Sequence, residues 1–264
     1  MKKENKKIGV LDMNIDSIHL INAIRNRFKN DDIYYINDHY IETYEGLDID
    51  DIKKYVSNNL SYLLTKNIDI LVVANDTIIE YCEDLFTDLQ IPVINIVSET
   101  INYVNKNYEY KNLGFLACSS IIEANIYQKN FRYNHLYNMN GDDLKDLIRT
   151  HLVKTTESFQ EAKNVIVPVY KKDLDLIIPS LINFLMVNVE INEWLKDVPM
   201  LPIDEIICDL IQDHLYPNTQ LDIKGKGNTY ICVKENMDNK FLSRYIKSKF
   251  IVINTEEEKQ NETI

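Results

Sequence analysis

Leu71-Val72-Val73-Ala74-Asn75-Asp76-Thr77 decides how this chain is read. A short apolar run breaks into three small polar residues. Runs of that length, bounded by turn-forming residues, are buried strands of parallel sheets. In open α/β sheets ligands sit beyond the carboxyl ends of such strands. Asn75, Asp76 and Thr77 then line the mouth of a pocket. The competing reading makes them a turn and the N-cap of a helix starting near Ile78, because Asn, Asp and Thr all cap well.

Working outward, the same alternation surrounds the stretch. Ile8 to Leu11 reads as a strand ending at Asp12, and Ile15, Ile18, Ile21, Ile24 and Phe28 follow at helical spacing. Ile33 to Ile36 is a second strand, leading to Asn37-Asp38. From about Asp50, Ile52, Tyr55, Val56, Leu60 and Leu63 share a helical face. Beyond Thr77 come a helix carrying Ile78, Ile79, Cys82, Leu85, Phe86 and Leu89, and a strand from Ile91 to Val97. Strands alternating with helices of this length form βαβ units and a parallel sheet.

The alternation then restarts. Leu113 to Cys118 is a strand whose following helix Ser119-Ser120 can cap. His135 to Met139 is a weak strand, Asp142 to about Val153 a helix, and Val165 to Val167 a strand. Leu174 to Val187 reads as a greasy helix, too short to span a bilayer and interrupted by Pro179 and Asn183. Val198 to Leu201 is a strand, Ile203 to His214 a helix, Thr229 to Val233 a strand, Phe241 to Ile246 a helix, and Phe250 to Ile253 a strand. The expectation is α/β: two α/β/α sandwich domains, with parallel sheets and a cleft between them, a usual place for small-molecule sites. Residues 1–97 with 203–255 make the first domain and 98–202 the second, and 256–264 is a disordered tail.

Composition bounds the function. The 264 residues are 45% hydrophobic and 27% charged, ordinary for a globular protein. A net charge of −12 argues against a nucleic-acid partner, which needs clustered Lys and Arg. The four cysteines, Cys82, Cys118, Cys208 and Cys232, show no CxxC spacing, and the five histidines no HExxH. No metal site and no disulfide framework are expected, and a reducing cytoplasm is. The charged opening MKKENKK has no apolar segment behind it, so neither a signal peptide nor a membrane partner is expected.

Several segments resemble the glutamate racemases. Ile8-Gly9-Val10-Leu11-Asp12 is similar to their IGVFDSG opening, and Asn37-Asp38 with Thr43-Tyr44-Glu45 to their GDxxxxPYG segment. Val72 to Thr77 stands where they have VxACNTA, and Ile91 to Val97 where they have IPVxGVI. Leu113 to Cys118, then Tyr127, resembles their IGVxxT strand and the Tyr after it, and Asn164 to Val167 falls where LILGCTHYP is expected. Order and spacing hold from Ile8 to about Tyr127 and loosen afterwards. The resemblance implies two domains related by a pseudo-two-fold, the first completed by the C-terminal segment. It also implies cofactor-free racemisation by two cysteines, one per domain. One thiolate takes the Cα proton while the other thiol returns one to the opposite face. That proton is very weakly acidic, so the base must be strong, desolvated and close.

The chain departs from the pattern at those positions. Asn75 occupies the first cysteine position, and the second falls on Val169, or on Pro168 if the register slips by one. Asp76 replaces the Asn after the first cysteine, and Lys171 stands near the second motif's His. Asp12, Tyr44 and Thr77 match substrate-contacting positions, and Cys118 ends a strand where the family tends to have a substrate-binding Thr. Three readings follow. One is an inactive homologue that retains a small amino-acid-like ligand or a protein partner through Asp12, Tyr44, Asn75, Asp76, Thr77 and Cys118, as a monomer or a homodimer. The second is an active cofactor-independent racemase, supplying D-glutamate to the cell wall, with Asp76 and Lys171 as substitute acid and base. The third is a protein-interaction regulator.

Overall fold

The computed structural model describes residues 5–36, 48–219, 221, 224–234 and 238–262. Its strands are three to eight residues long: β1 Lys7–Leu11, β2 Asp32–Ile36, β3 Ile70–Val73, β4 Val93–Asn95, β5 Lys111–Ala117, β6 Tyr133–Asn140, β7 Leu176–Pro179, β8 Thr229–Val233 and β9 Ile251–Asn254. They form two sheets, ordered β4-β3-β1-β2-β8-β9 and β6-β5-β7, and every paired neighbour is parallel. The chain divides into two compact units, Met1–Asn95 with Asp204–Ile264, and Ile96–Ile203. Strands such as β3 are buried along their whole length, as parallel strands covered on both faces require.

In the first unit, β1 lies between β2 and β3, with Leu11 opposite both Ile36 and Val73. β8 then joins β2, Ile33 opposite Thr229. Gly227 makes that approach possible. Its amide donates to Lys29 O at 3.0 Å, and a Cβ there would stand 2.1 Å from Asp31 O. The helices carry apolar stripes onto the sheet; that of Ile49–Thr65 buries Ile52, Val56, Leu60 and Leu63 and is capped by Asp48. In the second unit β5 is central, and Leu116, Met139, Leu144, Ile166, Val169, Ile177 and Phe184 share one apolar cluster.

Four expectations need correction. Val165 and Ile166 are not in a strand; they end the helix Thr156–Ile166, which continues as turn at Val167. A reciprocal capping box between Thr155 and Ser158 starts that helix, and Ala162, Val165 and Ile166 form its buried face. The stretch from Leu174 to Val187 is not one helix. Leu176–Pro179 is β7, because Pro179 lacks the N–H and the clearance a helix interior needs, and a 3₁₀ turn follows over Ile182–Val187. The strand at Ile91 to Val97 is confined to Val93–Asn95, and a helix starts at Ile96. The disordered tail is, through Glu262, a helix Thr255–Glu262. Asn254 Oδ1 accepts from the Glu256 and Glu257 amides at 3.0 and 3.1 Å, Thr255 is buried, and Glu258 accepts from Lys66 Nζ at 2.8 Å and from the Tyr62 hydroxyl. Residues 37–47, which include Tyr44, lie outside the described residues.

Candidate functional site

Adjacent β1 and β3 end side by side in the first unit. Pairing runs one step past each: the Asp12 amide donates to Ile36 O at 3.0 Å and the Ala74 amide to Leu11 O at 2.9 Å. Asp12 is fully buried. Its Oδ1 accepts from the Met13 amide at 2.7 Å and from Asn75 Nδ2 at 3.3 Å, and its Oδ2 accepts from the Ser17 amide at 2.7 Å and the Tyr35 hydroxyl at 2.5 Å. The Ser17 hydroxyl donates to Ala74 O, tying the loop after β1 to the end of β3. Burial, reinforced by Asp16, pushes the Asp12 carboxyl well above its ordinary value of 3.8, against the opposing pull of the Tyr35, Ser17 and Met13 hydrogen bonds.

Asn75 follows β3 and is the N-cap of the helix Asp76–Cys82. Its Oδ1 accepts from the Thr77 and Ile78 amides at 3.1 and 3.2 Å, while its Nδ2 reaches Asp12. Asp76 is buried and its Oδ1 accepts from the Thr77 amide at 2.9 Å; Thr77 is half-buried. The geometry thus gives Asn75 the capping role. It also joins Asp12, Asn75, Asp76 and Thr77 into one hydrogen-bonded group.

In the second unit the corresponding ends belong to β5 and β7, with Leu116 opposite Pro179 and the Ser180 amide donating to Leu116 O at 2.9 Å. Cys118 follows β5 and is buried. Beside it Asp142 begins the helix Asp142–Arg149 and accepts from the Ser119 amide at 3.2 Å and from the Ser119 hydroxyl. Burial works against that carboxylate. The Ser119 hydrogen bonds, with Lys145 and the Cys118 thiol, nevertheless hold it below the usual carboxylate range. Ser180 is 2% exposed, and its Oγ has no hydrogen-bond partner among the described residues.

Val169 and Lys171 stand elsewhere. They occupy the turn between the helix Thr156–Ile166 and β7, which enters the sheet where the Asp175 amide meets Asn112 O at 2.8 Å, near the start of β5. That is the amino end of the strands, opposite Cys118 and Ser180. Val169 is 2% exposed within the apolar cluster, and Lys171 is exposed. Sequence reasoning therefore missed Ser180, whose signal was the proline one residue earlier. It also missed Tyr35, which reaches Asp12 only through the pairing of β2 with β1, and Ser17, whose amide reaches it from five residues along the loop after β1. The remaining thiols offer no substitute: burial pushes Cys82 up to about 11 and Cys208 and Cys232 up to about 12. Among the described residues no helix is long and apolar enough to cross a membrane.

No family model matches the chain. Among curated proteins, the glutamate racemase of Aquifex pyrophilus is 28% identical over 124 residues, 47% of this chain and 49% of that protein. The glutamate racemase of Hydrogenobaculum sp. (strain Y04AAS1) is 20% identical over 266 residues, 94% of this chain and 99% of that protein. The match thus spans about half the length of the first relative and nearly all of the second. Among solved structures, a glutamate racemase isoform from Bacillus anthracis superimposes with a TM-score of 0.80 at 19% identity, covering 95% of this chain and 97% of that one. The chain is thus similar in sequence to glutamate racemases and has the fold of their solved structures.

Proposed function

We propose that this protein keeps the racemase fold without racemase chemistry and acts by binding a small amino-acid-like ligand or a protein partner. One observation carries the reading. Asn75 stands where the resemblance assigns the first thiol, and its side chain is committed to the helix N-terminus and to Asp12. A side-chain amide is neither a usable acid nor a usable base at neutral pH. The second thiol position we assign to Ser180 instead of Val169, because Leu176-Ile177-Ile178-Pro179-Ser180 is the run that ends at the carboxyl end of a strand. A serine hydroxyl is a far weaker acid than a thiol near 8.5, and losing general acid–base catalysis alone costs about 10²–10⁴-fold. The placement of Lys171 at the amino end of its sheet argues against an Asp76–Lys171 acid–base pair. Four free buried cysteines support the cytoplasm as its compartment.

Incubation with either enantiomer of glutamate or aspartate in deuterated water tests the reading. No Cα deuterium above buffer is expected. Incorporation that disappears in Ser180→Ala or Asp76→Asn would establish an active enzyme. Asp76 adds negative charge at the carboxyl end of β3, so neutral or cationic amino compounds should raise the melting temperature more than D- or L-glutamate.

A further inference from the structure

The helix Thr255–Glu262 reads Thr-Glu-Glu-Glu-Lys-Gln-Asn-Glu and holds no apolar residue. Isolated helices shorter than about 12–15 residues are marginal in water, so this one depends on what anchors it. Its first-turn glutamates suit the positive end of the helix dipole and Asn254 caps it, but both are local contributions. With no apolar stripe to bury, the hydrophobic effect does little to seat it. Among the described residues two of its side chains anchor it to the unit: Thr255, which is buried, and Glu258.

Glu258 reaches across to the helix Ile49–Thr65 and to Lys66 just after it. It accepts from the Tyr62 hydroxyl and, at 2.8 Å, from Lys66 Nζ, and that ammonium also lies 4.5 Å from the centre of the Tyr62 ring. These contacts span 196 and 192 positions and join the two chain segments that build the first unit. The Lys66 and Glu258 side chains are 13% and 33% exposed, so the pair is worth more than an ion pair in open water. Cys232, on β8, lies against the same group: it is fully buried, and its thiol is within hydrogen-bonding reach of the Tyr62 hydroxyl. The burial that pushes this thiol up to about 12 also keeps it protonated and unreactive while the helix is seated.

We propose that the helix Thr255–Glu262 is a clasp with one charged catch, Glu258 on Tyr62 and Lys66, and that opening the clasp uncovers the Cys232 thiol. Charge favours opening once the catch is removed. The helix carries four glutamates against one lysine in a chain of net charge −12, so the rest of the molecule repels it and the catch holds it at one point.

Peptide-resolved alkylation of the full chain with iodoacetamide reads the clasp. All four cysteines are free and buried, so Cys82, Cys118 and Cys208 serve as internal controls. In Glu258→Ala, Cys232 should react at least about tenfold faster than in the wild type, the factor that loss of one charge-assisted hydrogen bond implies, while the other three keep their rates. Amide exchange over residues 256–262 should quicken with it. Alanine is the better helix former, so the gain comes from the lost catch and not from the helix itself. Glu257→Ala removes an equal charge from an exposed position and should change neither reading. Equal Cys232 rates in the wild type and Glu258→Ala overturn the proposal. So does a gain shared by all four thiols, which marks global unfolding, or the same gain in Glu257→Ala.

Discussion

The two sheets end in different ways. At the carboxyl ends of β1 and β3, Asp12 takes four donors, and Asn75 divides its amide between a helix cap and that carboxylate. At the ends of β5 and β7, Ser180 is just as buried, yet its hydroxyl meets no partner among the described residues. The difference teaches that polar residues at strand ends do not by themselves make a site. Where they satisfy one another they fix a loop to a strand and leave little capacity for a ligand. Where a hydroxyl is unmatched, capacity remains.

The sharpest way to break this comparison is Asp12→Ala. It takes the carboxylate from the Met13 and Ser17 amides and removes the shorter bond of the Tyr35 hydroxyl, and should lower unfolding stability in urea by about 3 kcal/mol or more. Asn75→Ala comes next, costing about 1–2 kcal/mol through loss of the cap. A smaller effect is the pH dependence of Asp12. Because its folded-state value is raised, the folded protein holds that proton when the unfolded chain has released it. The carboxyl's contribution is therefore fully present below its ordinary range and is lost as pH rises through the raised value. Stability of the wild type relative to Asp12→Asn should fall with rising pH across that window; a flat or rising difference would show that Asp12 is ionised in the fold. Smallest is Ser180→Ala, which removes a buried hydroxyl without a hydrogen-bond partner among the described residues. Its change should stay within about 0.5–1 kcal/mol and can be stabilising. A cost as large as that of Asp12→Ala would erase the contrast between the two sheets.

Much of the fold was legible because its signals are local. Leu71 to Val73 is apolar, short and followed by capping residues, and it is β3 with Asn75 as the cap. Thr229 to Val233 is likewise short and largely apolar, and is β8. The errors fall where three apolar residues in a row fit either a strand or the last turn of a helix. Val165-Ile166-Val167 was decided by Thr155 and Ser158, seven to ten residues upstream, whose capping box commits the segment to helix. Leu176 to Val187 was misread because its hydrophobicity outweighed Pro179. The candidate site was legible only in part. Asp12, Asn75, Asp76 and Thr77 could be named from their places after apolar runs. Tyr35 lies inside a strand, and nothing in its neighbours announces that its hydroxyl faces Asp12; only the pairing of β1 with β2 brings them together.

β8 pairs with β2, although about 190 residues separate them in the chain. A ribosome adding roughly 5–20 residues per second needs about 10–40 s to make that stretch. Throughout that time the outer side of Ile33-Tyr34-Tyr35-Ile36 has no strand to pair with. The unit Ile96–Ile203, by contrast, is continuous and can close before the first unit is whole. The nascent chain thus carries an unfinished sheet behind a finished one. Its β2 edge is where a holdase would gain most by waiting, and where slow translation between residues 37 and 228 would expose the protein to aggregation.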